Sequence, residues 1–415
     1  MNMKKLKYGE GEEMKYDFDT PVQRFGTYSM KWDDDDFFRI ITPNIRLDKD
    51  TIRLNLADMD FRCAPAIAKA MHRVADFENF GYTTANAAPE YITSIINWYK
   101  RRHNVDLKSE WIVYSNGALD GVERTILAFS NPGESIVLCR PIYRNFSNVI
   151  ERTGRKITNV QMINNGNGKF EMDWDNLEKA LSMPDSKVFV LCSPQNPVGR
   201  VWAKEELCKV AELCKKHNVV VVSDEIHSDI IRKGIKHIPI IDAVDDISNI
   251  IMVSGVNKTF NLMGLHCAYS VIPDEKLRKQ FCTGYEPAMP TPFAIAGTIA
   301  AYNESEDWLN ELNKYLDDTL LFAVNYMKEK LPKVKAYVPQ GSYVLWLDFS
   351  DYGYSSEELQ YITYQMANVA LQKGLSHDPG EGSQFMRMCV TTSKANIKIA
   401  IDRLSEAFEE YKNKN

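Results

Sequence analysis

Short apolar runs rich in β-branched residues recur through the middle of the chain, and this feature limits the possible folds more than any other. Amphipathic helices separate several of the runs; Leu207, Val210, Ala211 and Cys214, for example, fall on one helical face. Near-continuous apolar runs are typical of strands buried on both faces, and their alternation with helices indicates a doubly wound sheet. The sequence therefore predicts an α/β fold with a mostly parallel central sheet and flanking helices. The predicted strands span residues 112–114, 135–138, 188–192, 219–222, 250–253 and 267–271.

The pattern changes after about residue 310. One long helix is predicted over 307–329, closed by Pro332, and a strand is predicted over 343–348. Two more helices are predicted over 356–373 and 394–412. Helices with few strands favour a separate and smaller α+β domain.

These patterns divide the chain into three parts. Residues 1–55, which are rich in charged and aromatic side chains, are expected to form an N-terminal arm and part of the small domain. Residues 56–310 are expected to form the large, ligand-binding domain, and residues 311–415 the C-terminal small domain.

Charge and composition exclude several classes of protein. The 50 Lys and Arg residues against 56 Asp and Glu residues leave a net charge of −6 without a basic block, which argues against nucleic-acid binding. No apolar run approaches the roughly 18 residues that a membrane span needs, and residues 1–14 lack the apolar stretch of a secretory signal. None of the eight cysteines forms a C-x-x-C pair, and the seven histidines show no H-E-x-x-H pattern. We therefore expect a cytoplasmic protein with reduced cysteines, no bound metal and no membrane contact.

Polar segments follow four of the predicted strands, where an open parallel sheet binds its ligands. The segment Ser115-Asn116-Gly117-Ala118 precedes a helix, so it has the form of a phosphate cradle, although it can equally be a tight connection. Asn196 lies between two prolines, which restrict the backbone around it. That segment is either a rigid turn or a support that aims the amide of Asn196 at a ligand.

Two ionisable residues follow the next two strands. Asp224 is either a helix N-cap or a buried carboxylate that holds a proton on a heteroaromatic nitrogen. Lys258 lies between a buried strand and an apolar segment, so it is either an ordinary solvated lysine or an amine with a lowered pKa that serves as a base or nucleophile.

The order and spacing of these segments resemble the fold type I pyridoxal-phosphate enzymes of the class I/II aminotransferase family, over nearly the whole chain. Finer motifs resemble one branch of that family, the C–S lyases of the MalY/PatB cystathionine β-lyase type. These motifs are Lys31-Trp32-Asp33, Leu56-Ala57-Asp58-Met59-Asp60-Phe61, Pro194-Gln195-Asn196-Pro197-Val198-Gly199-Arg200-Val201-Trp202, Asp224-Glu225-Ile226-His227 and Lys258-Thr259-Phe260-Asn261.

The resemblance implies pyridoxal 5′-phosphate as the cofactor and a role for each matching residue. Lys258 matches the lysine that binds the cofactor covalently, and Asp224 matches the carboxylate that pairs with its pyridine nitrogen. Asn196 and His227 match positions beside the phenolic oxygen; a tyrosine is usual at the place of His227 in ordinary aminotransferases. Tyr143 matches the aromatic residue that stacks on the ring, so that Lys258, Asp224 and Tyr143 form the expected catalytic set.

The remaining matches concern the phosphate, the substrate and a second subunit. Gly117, Ala118 and Ser254 match the phosphate site, and Tyr82 matches a tyrosine that reaches the phosphate of the neighbouring subunit. Arg387 matches the arginine that binds the substrate α-carboxylate, assisted by Asn196. The resemblance thus implies a homodimer with shared active sites and a small amino-acid substrate. The alternative interpretations are a core aromatic for Tyr143 or Tyr82 and a surface ion pair for Arg387.

The sequence departs from the family pattern near the expected substrate entrance. Gln195 replaces a usual histidine, and His266 stands where many aminotransferases carry an arginine. The segment 376–383 is shorter than the usual loop, and Met388-Cys389 replaces a usual Leu-Asn pair. These differences bear on the choice of substrate more than on cofactor binding.

The activity implied by the resemblance is α,β-elimination of an S-substituted L-cysteine such as cystathionine, which yields a thiol, pyruvate and ammonia. The nearest alternative is an aminotransferase with the same residues. A second alternative is a regulatory protein that retains the fold.

Overall fold

The computed structural model describes residues 7–8, 12–20, 22–41, 45, 47–284 and 288–414. Most of residues 1–14, which are expected to lack a secretory signal, therefore lie outside the described residues. The helices are α1 Met30–Asp33, α2 Asp35–Ile41, α3 Pro65–Asp76, α4 Pro89–His103, α5 Ala118–Phe129, α6 Arg144–Arg152, α7 Trp174–Leu181, α8 Lys204–Lys216, α9 Ile240–Ala243, α10 Val256–Thr259, α11 Glu275–Cys282, α12 Pro292–Glu304, α13 Glu306–Lys330, α14 Ser356–Gln360 and α15 Lys394–Lys414. The strands are β1 Lys7–Tyr8, β2 Glu12–Glu13, β3 Ile52–Arg53, β4 Ile112–Ser115, β5 Ser135–Arg140, β6 Lys156–Gln161, β7 Ile163–Asn164, β8 Phe170–Glu171, β9 Ser186–Cys192, β10 Val220–Asp224, β11 Ile250–Gly255, β12 Ala268–Val271, β13 Val344–Asp348, β14 Val369–Ala370, β15 Gln372–Lys373 and β16 Phe385–Cys389.

The central sheet has seven strands in the order β4-β12-β11-β10-β9-β5-β6. Strand β12 is antiparallel to both of its neighbours, and every other adjacent pair is parallel. This confirms the predicted mostly parallel sheet. The edge strand β6 was not predicted, because its polar and partly exposed residues form no apolar run.

Alternate residues of the central strands supply two separate cores. Val188 and Val190 of β9 pack into a cluster with the residues of α5 and α6, whereas Phe189 and Leu191 point to the opposite face. Successive strand side chains point to opposite faces, so a sheet covered by helices on both sides needs apolar residues at every position. This requirement explains the continuous runs in the sequence.

The C-terminal region contains a three-stranded antiparallel sheet of order β13-β16-β15, beside which α13 packs against α15. Strand β3, close to the N-terminus, pairs in parallel with β14. The N-terminal part of the chain therefore contributes to this small sheet region, while the predicted boundaries at residues 55 and 310 stay a prediction.

The helix predicted over 356–373 is wrong beyond its first turns. Helix α14 ends at Gln360, a π-helical segment follows over Tyr361–Met366, and the chain then enters β14 and β15. Asn368 adopts a left-handed conformation with φ of 53°, which ends the helical geometry. The apolar residues Val369 to Leu371 satisfy a strand as well as a helix, and pairing with β3 selects the strand.

The structure also tests whether a helix could span a membrane and whether side chains could bind a metal, and it describes the cysteines. Of the helices within the described ranges, none combines the length and apolar character of a membrane span. In those same ranges, no three His, Cys, Asp or Glu side chains are grouped as a metal ion would require. All eight cysteines are free thiols, and five of them are buried.

Candidate active site

Four polar segments meet at one edge of the central sheet because the strands before them run in the same direction. Asp224 is the last residue of β10, and Lys258 lies in α10 directly after β11. Asn196 follows β9, and Gly117 lies between β4 and α5. The convergence of strand ends thus brings residues 140 positions apart into one site.

Lys258 is partly buried, and its Nζ donates a hydrogen bond of 2.6 Å to the carbonyl oxygen of Ala57. Burial lowers the pKa of Lys258 to about 8, while the negative charge of Asp58 opposes that shift. An amine with this pKa is unprotonated in an appreciable fraction near neutral pH. It can therefore act as a nucleophile or a base.

Asp224 is buried, and burial raises the pKa of its carboxyl group to about 7. Among the described residues its side chain accepts one hydrogen bond, from the backbone N–H of Ile226 at 3.1 Å, and forms no ion pair. Turns rather than a helix follow β10, so Asp224 is not a helix N-cap. A buried carboxylate without a cationic partner is suited to a ligand that brings a positive charge, such as a protonated ring nitrogen.

Arg387 is only 2% exposed, which rules out a surface ion pair. Its NH1 donates to Oδ1 of Asn196 at 3.3 Å, and its NH2 donates to the carbonyl oxygen of Asn55 at 3.1 Å. Its buried Nε has no hydrogen-bond partner among the described residues. A buried guanidinium with an unused donor beside an amide is suited to bind a carboxylate.

Tyr143 lies directly before α6 and is partly buried beside Phe146. Its hydroxyl accepts a hydrogen bond of 2.7 Å from Nδ2 of Asn145, and burial raises its pKa. Asp224 and Arg387 both act on this hydroxyl electrostatically, so Tyr143 belongs to the same site.

Gly117 and Ala118 lie at the N-terminus of α5, a helix of 12 residues. A side chain added at Gly117 would meet nothing within 4 Å, so space is open in front of the helix end. Backbone N–H groups and the helix dipole favour an anion there. Ser254, at the end of β11, is buried, and its hydroxyl donates to the carbonyl oxygen of Glu225 at 3.3 Å.

His227 is buried, and its Nδ1 lies 3.2 Å from the hydroxyl of Ser342. Burial, together with the positive charges of Lys258 and Arg387, lowers the pKa of His227 well below its usual value, so the ring is neutral. Its ring contacts Tyr343 edge-on at 5.4 Å.

Four contributors to the site were not identified from the residues alone. Ser342 and Tyr343 reach it from the C-terminal region, and the hydroxyl of Tyr343 donates to the carbonyl oxygen of Ala57 at 3.1 Å. Asn55 and Ala57 contribute backbone carbonyls, which no side-chain pattern can reveal. Only the motif at residues 56–61 pointed to this segment.

Tyr82 differs from the other predicted site residues because its side chain is 97% exposed. It therefore lies outside the cluster formed by the rest of the set within one chain. Nearby Phe80 stacks on Phe293, with ring centroids 5.8 Å apart, and is itself exposed.

Two of the departures from the family pattern hold the backbone beside Tyr143. Gln195 is buried and donates to the carbonyl oxygen of Pro141 at 2.7 Å. His377, in the short segment before Arg387, lies with Nδ1 3.0 Å from the carbonyl oxygen of Ile142. These side chains thus take supporting positions next to the predicted ring-stacking tyrosine.

Comparison with known proteins identifies the family of the chain. Residues 49–404 match the family model of aminotransferase class I and II. The chain is 35% identical to the cystathionine β-lyase PatB of Bacillus subtilis, over 94% of this chain and 99% of that protein. It is 29% identical to the protein MalY of Escherichia coli, over 94% of this chain and 98% of that protein. The crystal structure of cystalysin from Treponema denticola, which contains a pyridoxal 5′-phosphate cofactor, superposes with a TM-score of 0.89 at 27% identity, covering 96% of this chain and 100% of that chain.

Proposed function

The chain belongs to the aminotransferase class I and II family, in the branch of PatB and MalY, and from this membership we propose that it is a pyridoxal 5′-phosphate-dependent carbon–sulfur lyase. It cleaves S-substituted L-cysteines such as cystathionine by α,β-elimination. The products are a thiol, pyruvate and ammonia.

One observation carries this proposal: an amine with a lowered pKa, Lys258, shares a site with Asp224, a buried carboxylate that forms no ion pair within the described part of the chain. That donor set fits the cofactor, because pyridoxal 5′-phosphate presents an aldehyde, a basic ring nitrogen and a phosphate. The open N-terminus of α5 at Gly117 and Ala118 fits the phosphate. Ser254 follows Val253, which a side chain at Gly121 of α5 would approach within 2.7 Å, so Ser254 lies beside the same helix. When bound, the cofactor supplies a ring that withdraws electrons from the substrate Cα.

The residues of this chain would bind the cofactor and the substrate and transfer the proton. Asp224 would hold a proton on the ring nitrogen, Tyr143 would cover a ring face, and Asn196 and His227 would interact with the phenolic oxygen. Arg387 binds the substrate α-carboxylate with the help of Asn196, which orients the bond from Cα to its hydrogen. Lys258 takes that proton, the electron pair forms a double bond between Cα and Cβ, and the sulfur leaves Cβ with the electrons of the C–S bond. The released enamine then adds water and gives pyruvate and ammonia.

A homodimer with shared active sites is part of the proposal. The support is a group of exposed apolar side chains around Tyr82, namely Phe77, Phe80, Tyr82 and Met289. Large exposed apolar side chains in one region favour a protein–protein contact. We also propose a cytoplasmic location, which the free and mostly buried thiols support.

The test is product analysis with cystathionine and cofactor-loaded protein, without any keto acid. We expect thiol and pyruvate in equal amounts, and the Lys258→Ala variant is expected to produce neither. A wild-type protein that turns over its substrate only after a keto acid is added would instead be an aminotransferase. Catalysis absent under both conditions would favour the regulatory alternative.

A further inference from the structure

A cluster of four charged side chains lies next to the proposed active site, and none of them has a role in the function above. Lys31 is 1% exposed, and its Nζ lies 2.9 Å from Oδ2 of Asp60 and 3.6 Å from Oδ1 of Asp58. Arg24 bridges the same two carboxylates, each at 2.8 Å. Two positive and two negative charges thus balance one another, and the indole N–H of Trp32 adds a hydrogen bond to Asp60.

The backbone of Asp58 and its neighbours is connected directly to Lys258. Ala57 accepts the hydrogen bond from Nζ of Lys258. Met59 exchanges two hydrogen bonds with the side chain of Asn261, three residues after Lys258, at 2.9 and 3.0 Å. Any movement of this segment would therefore displace the carbonyl group that accepts the hydrogen bond from Lys258.

The segment is also held from the C-terminal region. The backbone N–H of Asp60 donates to the carbonyl oxygen of Thr391 at 2.8 Å, and the hydroxyl of Thr391 donates to the carbonyl oxygen of Asp58 at the same distance. Oδ1 of Asp58 is buried without a hydrogen-bond partner among the described residues. This oxygen thus has an ion-pair contact with Nζ of Lys31 at 3.6 Å but no hydrogen bond, and the charge of Asp58 also acts on Lys258.

We propose that Asp58 is a positioning residue for Lys258, and that Arg24 and Lys31 of the N-terminal segment set the strength of its effect. The Asp58 carboxylate stabilises positive charge on the lysine nitrogen, while its backbone orders the Ala57 carbonyl. Arg24 and Lys31 hold the carboxylate in place and offset part of its charge. This inference rests on the proposed function, because it concerns the lysine that binds the cofactor there.

The charges around Lys258 fix the direction of the expected effects. The ionisable and charged groups that act on it or adjoin it are Asp58, Asp224, Arg387, Cys389, His227 and Tyr343. Asp58 is the strongest of the attractive influences, and Arg387 opposes it. Removing the negative charge of Asp58 makes a protonated Lys258 less stable, whereas removing the positive charge of Lys31 makes it more stable.

The experiment compares Asp58→Asn with Lys31→Met in protein loaded with pyridoxal 5′-phosphate. The measured quantity is the pH at which the visible absorption band of the protein-bound cofactor is half changed. We expect the midpoint to fall in Asp58→Asn and to rise in Lys31→Met, each by about one pH unit. Arg24→Gln, a less buried change, is expected to move it in the same direction as Lys31→Met and serves if Lys31→Met does not fold.

The matched control is the pair of Lys15 and Asp307, whose side chains are exposed and form an ion pair of 2.6 Å. Lys15→Met and Asp307→Asn are expected to leave the midpoint unchanged. Midpoints that stay at the wild-type value in Asp58→Asn and Lys31→Met, or that move in the same direction, would overturn the inference. A wild-type protein without any visible band would instead overturn the proposed function.

Discussion

Asp224 and Lys258 are ionisable residues at neighbouring strand ends, and burial moves their pKa values towards each other. The pKa of Asp224 rises to about 7 and that of Lys258 falls to about 8, because water is excluded from the charged form of each group. Neither shift is compensated by an ion pair with the other residue. Such uncompensated burial costs stability and is typical of a functional site.

The cofactor-free protein should reveal the cost of burying Asp224. Between pH 4 and 7 the folded state retains a proton that the unfolded state has released, because the folded pKa is raised. The free energy of unfolding of the wild type should therefore decrease with rising pH through this range. Relative to Asp224→Asn, we expect a loss of roughly 3 to 4 kcal/mol, an upper limit that assumes full burial throughout.

Urea unfolding of both cofactor-free proteins at pH 4, 5, 6 and 7 measures this difference. Asp307→Asn is the control, because hydrogen bonds from Lys15 and Tyr16 lower the pKa of Asp307 despite partial desolvation. That carboxyl is ionised in both the folded and the unfolded state over this range, so the stability curve of Asp307→Asn should run parallel to that of the wild type. Parallel stability curves for the wild type and Asp224→Asn would contradict a raised pKa.

Arg387 offers a second test at the residue scale. In Arg387→Lys the planar guanidinium is lost, so a substrate carboxylate can no longer accept two parallel hydrogen bonds. We expect KM for an S-substituted cysteine to rise and kcat/KM to fall about 10- to 100-fold, the loss of a charged hydrogen bond. Steady-state kinetics should also show weaker discrimination against an analogue that lacks the α-carboxylate.

Arg152→Lys is the matched control, because Arg152 is exposed and forms an ion pair with Glu123 at the surface. Its kinetic constants should equal those of the wild type. If Arg387→Lys lowered kcat with KM unchanged, the guanidinium would not be the carboxylate-binding group.

Helix α10, which contains Lys258, begins where strands β11 and β12 approach each other closely. Gly255 ends β11 opposite Ala268 of β12. A side chain at Gly255 would come within 2.7 Å of the carbonyl oxygen of Cys267 and 2.8 Å of the Cα of Ala268. Since both are backbone atoms, the clash cannot be relieved by a change of rotamer, and glycine is required for this approach.

Gly255→Ala should therefore shift the start of α10 and the lysine within it. We expect a destabilisation of about 1 to 3 kcal/mol, typical of overpacking, together with weaker cofactor binding. Thermal unfolding and a cofactor titration measure the two effects. Gly264→Ala is the control, because that glycine is exposed with nothing within 4 Å; equal losses in both variants would exclude a specific clash at Gly255.

At the element scale, prediction succeeded where an element is buried on both sides. Strands β9, β10 and β11 form apolar runs because helices cover both faces, and these runs were visible in the sequence. The edge strand β6 and the segment around Asn368 were missed or misassigned. Their conformation depends on pairing with β5 and with β3, which are distant in the chain.

At the scale of the whole molecule, Tyr82 lies outside the candidate site of its own chain, although the sequence predicts a role for it in cofactor binding. Its exposed side chain and the proposed homodimer predict that each active site uses Tyr82 of the other subunit. Tyr82→Ala alone should weaken cofactor binding, and Lys258→Ala alone should abolish activity.

Mixed dimers of the two variants provide the decisive measurement. Random pairing puts half of the dimers in the mixed form, and each mixed dimer has one intact site if Tyr82 acts across the interface. Co-expression should therefore restore about a quarter of the wild-type activity. Activity no higher than the average of the two parent variants would show that Tyr82 acts within its own chain or not at all.

The mostly parallel sheet and the family could be predicted from the amino-acid sequence, which also proposed the charged and aromatic residues of the site. A strand that is buried on two faces, prolines that restrict the backbone and a lysine next to an apolar strand can each be recognised within a short stretch of residues. Other features became visible only in the tertiary structure: the burial of Asp224, the hydrogen bond from Lys258 to the carbonyl oxygen of Ala57 and the four-charge cluster at Lys31. These features depend on backbone carbonyls, on the exclusion of water and on partners that are distant in the chain, such as Ala57 and Lys258, and no local pattern encodes them.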